Sequence, residues 1–292
     1  MNHAPKTTPW SDLDLNRWRD YHHILTDSLW IFPSRASGEG HTLDYHGNFI
    51  PQIATQTFTR YTKAGEVVLD LFLGSGTSAI EALRLGRRCI GVELKADLVD
   101  YVRGKLSSTL ASTGALASTG DRYSGEYEVH ILQRVQVIQG DSTTQSTADA
   151  VRSALAAMGE THAHLLVLHP PYHDIIPFSD RPDDLSNIPN IDAFLDKFET
   201  VARHGFDLLA PGRFAVLVIG DKYEKGTLVP LGFWCMERLN RVGFKTKAIV
   251  VKNIEGNEWG KGRSNNLWRY RALAGGYYIF KHEYVMIFRK PV

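Results

Sequence analysis

Val67-Val68-Leu69-Asp70-Leu71-Phe72-Leu73-Gly74-Ser75-Gly76-Thr77 is the stretch whose reading decides the rest. Apolar residues suited to a buried strand run into an acid, then into a turn with two glycines one residue apart. Ala79-Ile80-Glu81-Ala82-Leu83 continues as a helix. Strand, glycine turn and helix is how a doubly wound sheet opens a crevice for a nucleoside-bearing ligand. Gly74 and Gly76 permit a backbone path that a Cβ would obstruct, and they let a ligand approach closely. About twenty residues on, a second buried strand, Cys89-Ile90-Gly91-Val92, ends in Glu93, where an acid holds ribose hydroxyls. The spacing Gly74-x-Gly76-x-x-Ala79 also satisfies the relaxed dinucleotide fingerprint, so NAD stays open as the ligand at this point.

The chain has 292 residues, room for one large α/β domain or two small ones. No apolar run reaches the length of a membrane span, and Met1 to Trp10 lacks a signal-peptide core, so a cytoplasmic protein is expected. The two cysteines, Cys89 and Cys235, lie in apolar segments and read as core thiols of a reducing compartment. The net charge of +1 conceals an asymmetry. From Lys245 onward ten Lys/Arg face three acids, whereas the rest of the chain has 23 bases and 29 acids. A basic terminal region on an acidic body points to a nucleic-acid partner.

Outward from the opening stretch, periodicity predicts an amphipathic helix over 11–27, with Trp18, Tyr21 and His22 packing, and a second helix from Asn48 to Tyr61 begun near Pro51. After Glu93 it predicts a helix to about Leu106 and a flexible surface insertion over 107–128, in which Ala-Ser-Thr-Gly occurs twice. Strand 135–138, helix 147–158 and strand 164–168 follow. Then come a proline-rich loop (173–191), helix 192–209, a break at Pro211-Gly212, strand 214–219, helix 228–241 and strand 244–251. A polar, Gly-rich insertion over 252–278 precedes the last strand, 278–288. This alternation predicts one doubly wound, mostly parallel sheet in a single domain, 1–292, with an N-terminal extension over 1–45.

Strand 164–168 stops at His169-Pro170-Pro171-Tyr172, at the carboxyl end where such sheets hold ligands. Two prolines fix the backbone and remove its N–H donors, so the turn offers carbonyl acceptors and one aromatic face. Acceptors beside a ring suit a planar base with an exocyclic amine; a purely structural Pro-Pro turn remains the alternative. His162, His164, His169 and His173 lack the cysteine or acid spacing of a zinc site, so no metal is expected. Within 252–278 basic and aromatic residues alternate: Trp259, Lys261, Arg263, Trp268, Arg269, Tyr270 and Arg271. They suit phosphate and stacking contacts, and Asn265 and Asn266 suit adenine edges.

These motifs together resemble the S-adenosylmethionine-dependent DNA amino-methyltransferases, which act on cytosine N4 or adenine N6. Asp70-x-Phe72-x-Gly74-x-Gly76-Thr77 is similar to the family's cofactor loop, and Gly86 to Glu93 to its second cofactor strand. Gly47 to Pro51, with His46 before it, is similar to the segment preceding that loop, and His282 to Lys290 to the closing strand. The resemblance implies a seven-stranded Rossmann-like sheet with an antiparallel last strand, and S-adenosylmethionine as cofactor. It implies that Glu93 holds the ribose, Asp141 the adenine amine, and Asp70, Phe72, Gly74, Ser75, Gly76 and Thr77 the methionine portion, walled by Phe49 and Pro51. His169, Pro170, Pro171 and Tyr172 become the catalytic group, and Lys261, Arg263, Asn265, Asn266, Trp268, Arg269 and Arg271 the nucleic-acid contacts. The implied partners are duplex DNA with a flipped base, in the nucleoid, and a restriction endonuclease of the same system. RNA bases, a protein glutamine amide, or binding without catalysis are the other readings such a turn allows. One position departs from the family, which places Asp, Asn or Ser before Pro-Pro where this chain has His169. A neutral imidazole still accepts a hydrogen bond, and a protonated one does not.

Overall fold

The computed structural model describes residues 5–36, 47–113, 134–254 and 265–292. Its frame is an eight-stranded sheet built from β1 (Leu29–Trp30), β2 (Val67–Asp70), β3 (Arg88–Glu93), β4 (Val135–Gln139), β5 (Ala163–Leu168), β6 (Leu209–Ile219), β9 (Lys245–Asn253) and β10 (His282–Arg289). A separate hairpin holds β7 (Lys222–Glu224) and β8 (Thr227–Val229). Across the sheet the order is β1-β9-β10-β6-β5-β2-β3-β4. Only β10 runs against its neighbours, pairing antiparallel with β6 and β9. The expected doubly wound sheet with an antiparallel last strand is therefore present, and a two-residue strand, β1, extends it beside β9.

All four residues of β2 are fully buried, since helices cover both faces and leave no solvent side. Val67 and Leu69 face one core layer with Val151 and Leu155 of α4 (Gln145–Ala157), Phe194 and Phe198 of α5 (Ile191–Leu208), and Leu239 of α6 (Leu231–Val242). Val68 faces the other layer, with Ile53 and Phe58 of α1 (Pro51–Tyr61), Ile80 of α2 (Thr77–Arg84) and Val102 of α3 (Ala96–Thr113). Each fully buried side chain of this kind contributes about 1.5–3 kcal/mol. The chain leaves β2 toward β3 on one side, while β5 pairs with β2 on the other. That reversal of strand order opens the crevice at the carboxyl ends of β2 and β5.

Several expectations are corrected. The helix expected over 11–27 is a 3₁₀ turn, Leu15–Tyr21, with no buried residue. Trp18 is 60% exposed. The apolar spacing exists there without a core face to hold an α-helix. Pro211-Gly212 does not end a segment, because β6 runs through it. Its pairing with β5 slips from Ala163↔Leu209 to Leu165↔Phe214, so the surplus residues bulge where proline has no N–H to give. The hairpin β7–β8 was not foreseen, nor was helix α7 (Asn265–Gly275) inside the expected polar insertion. Helix α3 continues to Thr113, into the start of the segment expected to be flexible, while 114–133 lie outside the described residues.

Candidate functional site

The glycine turn is held from beneath by Asp70, fully buried at the end of β2. One carboxylate oxygen accepts from the Phe72 amide at 2.9 Å, the other from the Ser78 hydroxyl at 2.5 Å. Burial pushes this carboxyl up to about 6, although both hydrogen bonds oppose the shift. Asp70 thus ties the strand end to the first turn of α2. Gly76 caps α2 at φ 89°, and a Cβ there would lie 2.9 Å from Val102 Cγ1. The side-chain amide of Asn48 donates to Ser75 Oγ at 2.5 Å, which brings the segment before α1 against the turn. Phe49 and Pro51 are buried in that segment and Phe72 is half-buried.

Glu93 closes the far side of the turn. Its two oxygens accept from the amides of Gly74 and Lys95, each at 2.9 Å. Burial pushes its carboxyl up as well, against those bonds. Asp141, just past β4, accepts from the Thr143 amide and hydroxyl, both at 2.8 Å. Each oxygen that takes one donor has acceptor capacity left for a ligand. The fold brings Asp70, the 72–77 loop, Glu93 and Asp141 to one edge of β2, β3 and β4.

Beside them, at the end of β5, stands His169-Pro170-Pro171-Tyr172. The His169 ring lies edge-on between Phe49 (centroids 5.3 Å apart) and Tyr172 (5.8 Å). Burial lowers its pKa to about 4, with Lys252 and Arg35 pushing the same way and Glu283 opposing. The ring is therefore neutral near pH 7 and keeps one bare nitrogen. The Tyr172 phenol donates to Glu283 Oε2 at 3.0 Å, and Lys252 Nζ donates to Glu283 Oε1 at 2.8 Å. Arg35 donates to the carbonyls of Asn48 and Phe49 at 3.1 and 3.2 Å. His173 follows at φ 56° and is 2% exposed. That conformation costs about 1–3 kcal/mol. It is held by a bond to the Ile188 carbonyl at 2.9 Å and by Lys222, which donates to Nδ1 at 2.9 Å. Lys222 also pairs with Asp174, while Arg181 pairs with Asp183 at 2.6 Å in the exposed loop beyond.

Of the expected nucleic-acid contacts, Lys261 and Arg263 lie outside the described residues, as does Trp259. Asn265, Asn266 and Trp268 fall on α7 by their backbone, and Arg269 and Arg271 are exposed on that helix. Tyr223 of the β7–β8 hairpin stacks on Phe280 with centroids 4.9 Å apart, and Tyr277 leans on it at the same distance. Tyr270 and Leu273 of α7 and Tyr278 beyond it are 69, 72 and 86% exposed.

Sequence reasoning missed Glu283, Lys252, Arg35 and Lys222. Lys252 and Glu283 stand at the ends of apolar runs in β9 and β10, but their pairing is set by register across the two strands. Among the described residues, no group of three or more His, Cys, Asp or Glu could hold a metal ion, and no helix is long and apolar enough to cross a membrane. Cys89 and Cys235 are buried free thiols.

Residues 9–103 match the family described as DNA methylase, a span that ends before β5. The Type II methyltransferase M.ScaI of Streptomyces caespitosus is 32% identical over 88 residues, 29% of this chain and 29% of that protein. M2.DpnII of Streptococcus pneumoniae is 43% identical over 47 residues, 16% of this chain and 18% of its own length. M.MjaII of Methanocaldococcus jannaschii is 34% identical over 50 residues, 17% of this chain and 9% of its own. The matched stretches thus span less than a third of each relative. A TehB-like SAM-dependent methyltransferase from Corynebacterium glutamicum overlaps 84% of this chain and 90% of its own at 15% identity and a TM-score of 0.45. A methyltransferase from Pyrococcus furiosus overlaps 85% and 88% at 14% identity and a TM-score of 0.46. Overlaps that loose assign no function.

Proposed function

We propose, from the match of residues 9–103 to the DNA methylase family, that the chain transfers a methyl group from S-adenosylmethionine to the exocyclic amine of a DNA base, cytosine N4 or adenine N6. S-adenosylmethionine is the cofactor of that family, and it answers the choice that the glycine fingerprint left open to NAD. The observation that carries the reading is adjacency: β2 and β5 pair directly, so the glycine turn and the His169–Tyr172 turn line one crevice. The polar groups around it fit the cofactor. Glu93 and Asp141 have acceptor capacity for ribose hydroxyls and an adenine amine, and the turn at Gly74 and Gly76 lets the methionine portion lie against backbone.

When bound, the cofactor supplies a sulfonium methyl: the amine lone pair forms the new N–C bond as the C–S bond breaks and leaves its electron pair on sulfur. The protein's part is alignment and hydrogen bonding. The Pro170 carbonyl and the bare nitrogen of His169 accept from the amine, which localises its lone pair, and Tyr172 stacks on a base flipped from the duplex. We assign phosphate and base contacts to the segment 252–278, with Lys261, Arg263, Arg269 and Arg271 as the cations. The half-buried aromatic cluster of Tyr223, Tyr277 and Phe280 supports a stacking surface beside it. The whole chain is treated as one methyltransferase domain, with a restriction endonuclease as the partner that Type II systems suggest.

The test is methyl transfer from labelled S-adenosylmethionine to unmethylated duplex DNA, followed by nucleoside mass spectrometry. An N4-methylcytosine or N6-methyladenine peak that Tyr172→Ala abolishes is the expected result. Cofactor binding with label only in RNA or in protein would move the substrate, and no binding would remove the cofactor.

A further inference from the structure

The catalytic turn lacks a carboxylate of its own, and the fold brings one to it. Because β10 is antiparallel, its first residues lie at the sheet edge where the parallel strands end. Glu283, second in β10, therefore stands opposite Lys252, near the end of β9, and within reach of Tyr172 beyond β5. The Glu283 and Lys252 side chains are 12% and 1% exposed. A buried carboxylate needs an opposite charge and further donors; Lys252 supplies the first and the Tyr172 phenol the second.

Hydrogen-bond arithmetic then reaches His169. A phenol has one hydrogen, and Tyr172 gives it to Glu283 at 3.0 Å. Its oxygen can meet His169 Nε2, 3.5 Å away, only as an acceptor. That contact is at the long end of hydrogen bonding, as catalytic contacts often are before a ligand closes the site. As a hydrogen bond, that contact requires the ring hydrogen on Nε2, which leaves Nδ1 as the bare nitrogen.

We propose that Glu283 is the positioning carboxylate of this site: acting through the Tyr172 phenol, it holds His169 in the Nε2–H tautomer, so that Nδ1 is free to accept from the substrate amine. This rests on the amino-methyltransferase reading and names the residue that lets a histidine stand where the family has Asp, Asn or Ser. A base oriented by a second group that is itself anchored is the general logic of catalytic triads. The proton given up by the methylated nitrogen passes to Nδ1, and from there to water once the product leaves. The charged groups facing His169 are Glu283 from β10, Lys252 from β9 and Arg35 from the N-terminal segment, and only the first favours that proton.

Glu283→Gln makes the inference testable, because Lys252 dictates how the amide must sit. The Gln carbonyl turns toward the ammonium and its NH₂ toward Tyr172. The phenol then accepts from Gln, donates its hydrogen to His169 Nε2, and the ring flips to the Nδ1–H tautomer. Tyr172→Phe keeps the Glu283–Lys252 pair intact and removes only the link. Two readouts are needed: the ¹⁵N NMR shifts of the His169 ring, assigned by loss of its signals in His169→Gln, and the single-turnover methylation rate with cofactor affinity measured by calorimetry. The wild type should show the Nε2–H pattern and Glu283→Gln the reverse. The rate should fall by roughly a hundredfold, the scale of general-base catalysis, with cofactor affinity unchanged. Glu283→Gln should add nothing further on a Tyr172→Phe background. A wild-type ring protonated on Nδ1, or a Glu283→Gln protein with unchanged tautomer and rate, overturns the proposal. If the wild type methylates nothing, the functional reading fails, while the tautomer still decides whether Glu283 orients His169.

Discussion

On one side of the crevice, carboxylates grip amides and a hydroxyl of their own βαβ unit; on the other, side chains from distant parts of the chain grip one another. Asp70 serves Phe72 and Ser78, and Glu93 serves Gly74 and Lys95, so every partner lies within twenty residues. Across the crevice Tyr172 meets Glu283 and Glu283 meets Lys252, contacts spanning 111 and 31 residues. The first kind of site forms as soon as its local unit folds. The second requires the whole sheet to be closed, with β10 in register between β6 and β9. Stability of the turn side should therefore depend on buried charge, and that of the cofactor side on backbone geometry.

Lys252→Met tests the first half of that contrast and should have the largest effect. Leaving Glu283 without its buried partner is expected to cost about 3–5 kcal/mol in urea denaturation. The surface pair Arg241–Glu237 has side chains 54 and 58% exposed and sets the scale. Arg241→Met should cost about 0–1 kcal/mol. Equal effects for the two substitutions would mean that the turn side is not held by its buried pair.

Gly76→Ala tests the other half. At φ 89° and with Val102 in the way, any Cβ is strained and crowded at once. A loss of about 1–3 kcal/mol is expected, with weaker cofactor binding, while the turn at His169 is left in place. An alanine tolerated without change in stability or cofactor affinity would show that the loop does not need the left-handed backbone.

The contrast also separates what the sequence discloses from what it hides. Val67 to Thr77 and Cys89 to Glu93 could be read directly, because strand, turn and acid follow one another in the order in which they meet in space. His169 to Tyr172 could be located because prolines end a buried strand. Glu283 and Lys252 could not, since nothing in either strand says which strand lies beside it. The 3₁₀ turn at Leu15–Tyr21 shows the opposite failure: helical spacing was present, but the core that would have used it was not. Pro211-Gly212 marks a break in the sequence pattern, yet β6 runs through it and a bulge absorbs the proline.

Glu93→Gln sharpens the account of the cofactor side with a smaller effect. The amide can still accept from Gly74 or Lys95 through its oxygen, but it loses the charge that strengthens bonds to ribose hydroxyls. A charge-assisted hydrogen bond is worth about 1.5–3 kcal/mol. Cofactor affinity should therefore weaken roughly tenfold to a hundredfold, seen by calorimetry, with the fold intact. Unchanged affinity would place the ribose elsewhere.

The net effect that is smallest in the wild type is the most diagnostic, because the two sides titrate in opposite directions and cancel. Burial lowers His169 from 6.5 to about 4, so between those values the unfolded chain binds more protons than the folded one. Its contribution to stability is complete above pH 6.5 and is lost as pH falls toward 4. Burial raises Asp70 from 3.8 to about 6, so there the folded chain holds the proton more tightly. That contribution is complete below pH 3.8 and is lost as pH rises through 6. Across pH 4–6 the two slopes oppose each other and hide in the wild-type curve. Urea denaturation of His169→Gln and Asp70→Asn over pH 4–7.5 should uncover them. Relative to wild type, His169→Gln should gain stability as pH falls below 6.5, and Asp70→Asn should gain as pH rises from 4 to 6. Variant curves running parallel to the wild type would mean that neither group is desolvated as the packing around it requires, and the division of the crevice into two kinds of site would lose its electrostatic half.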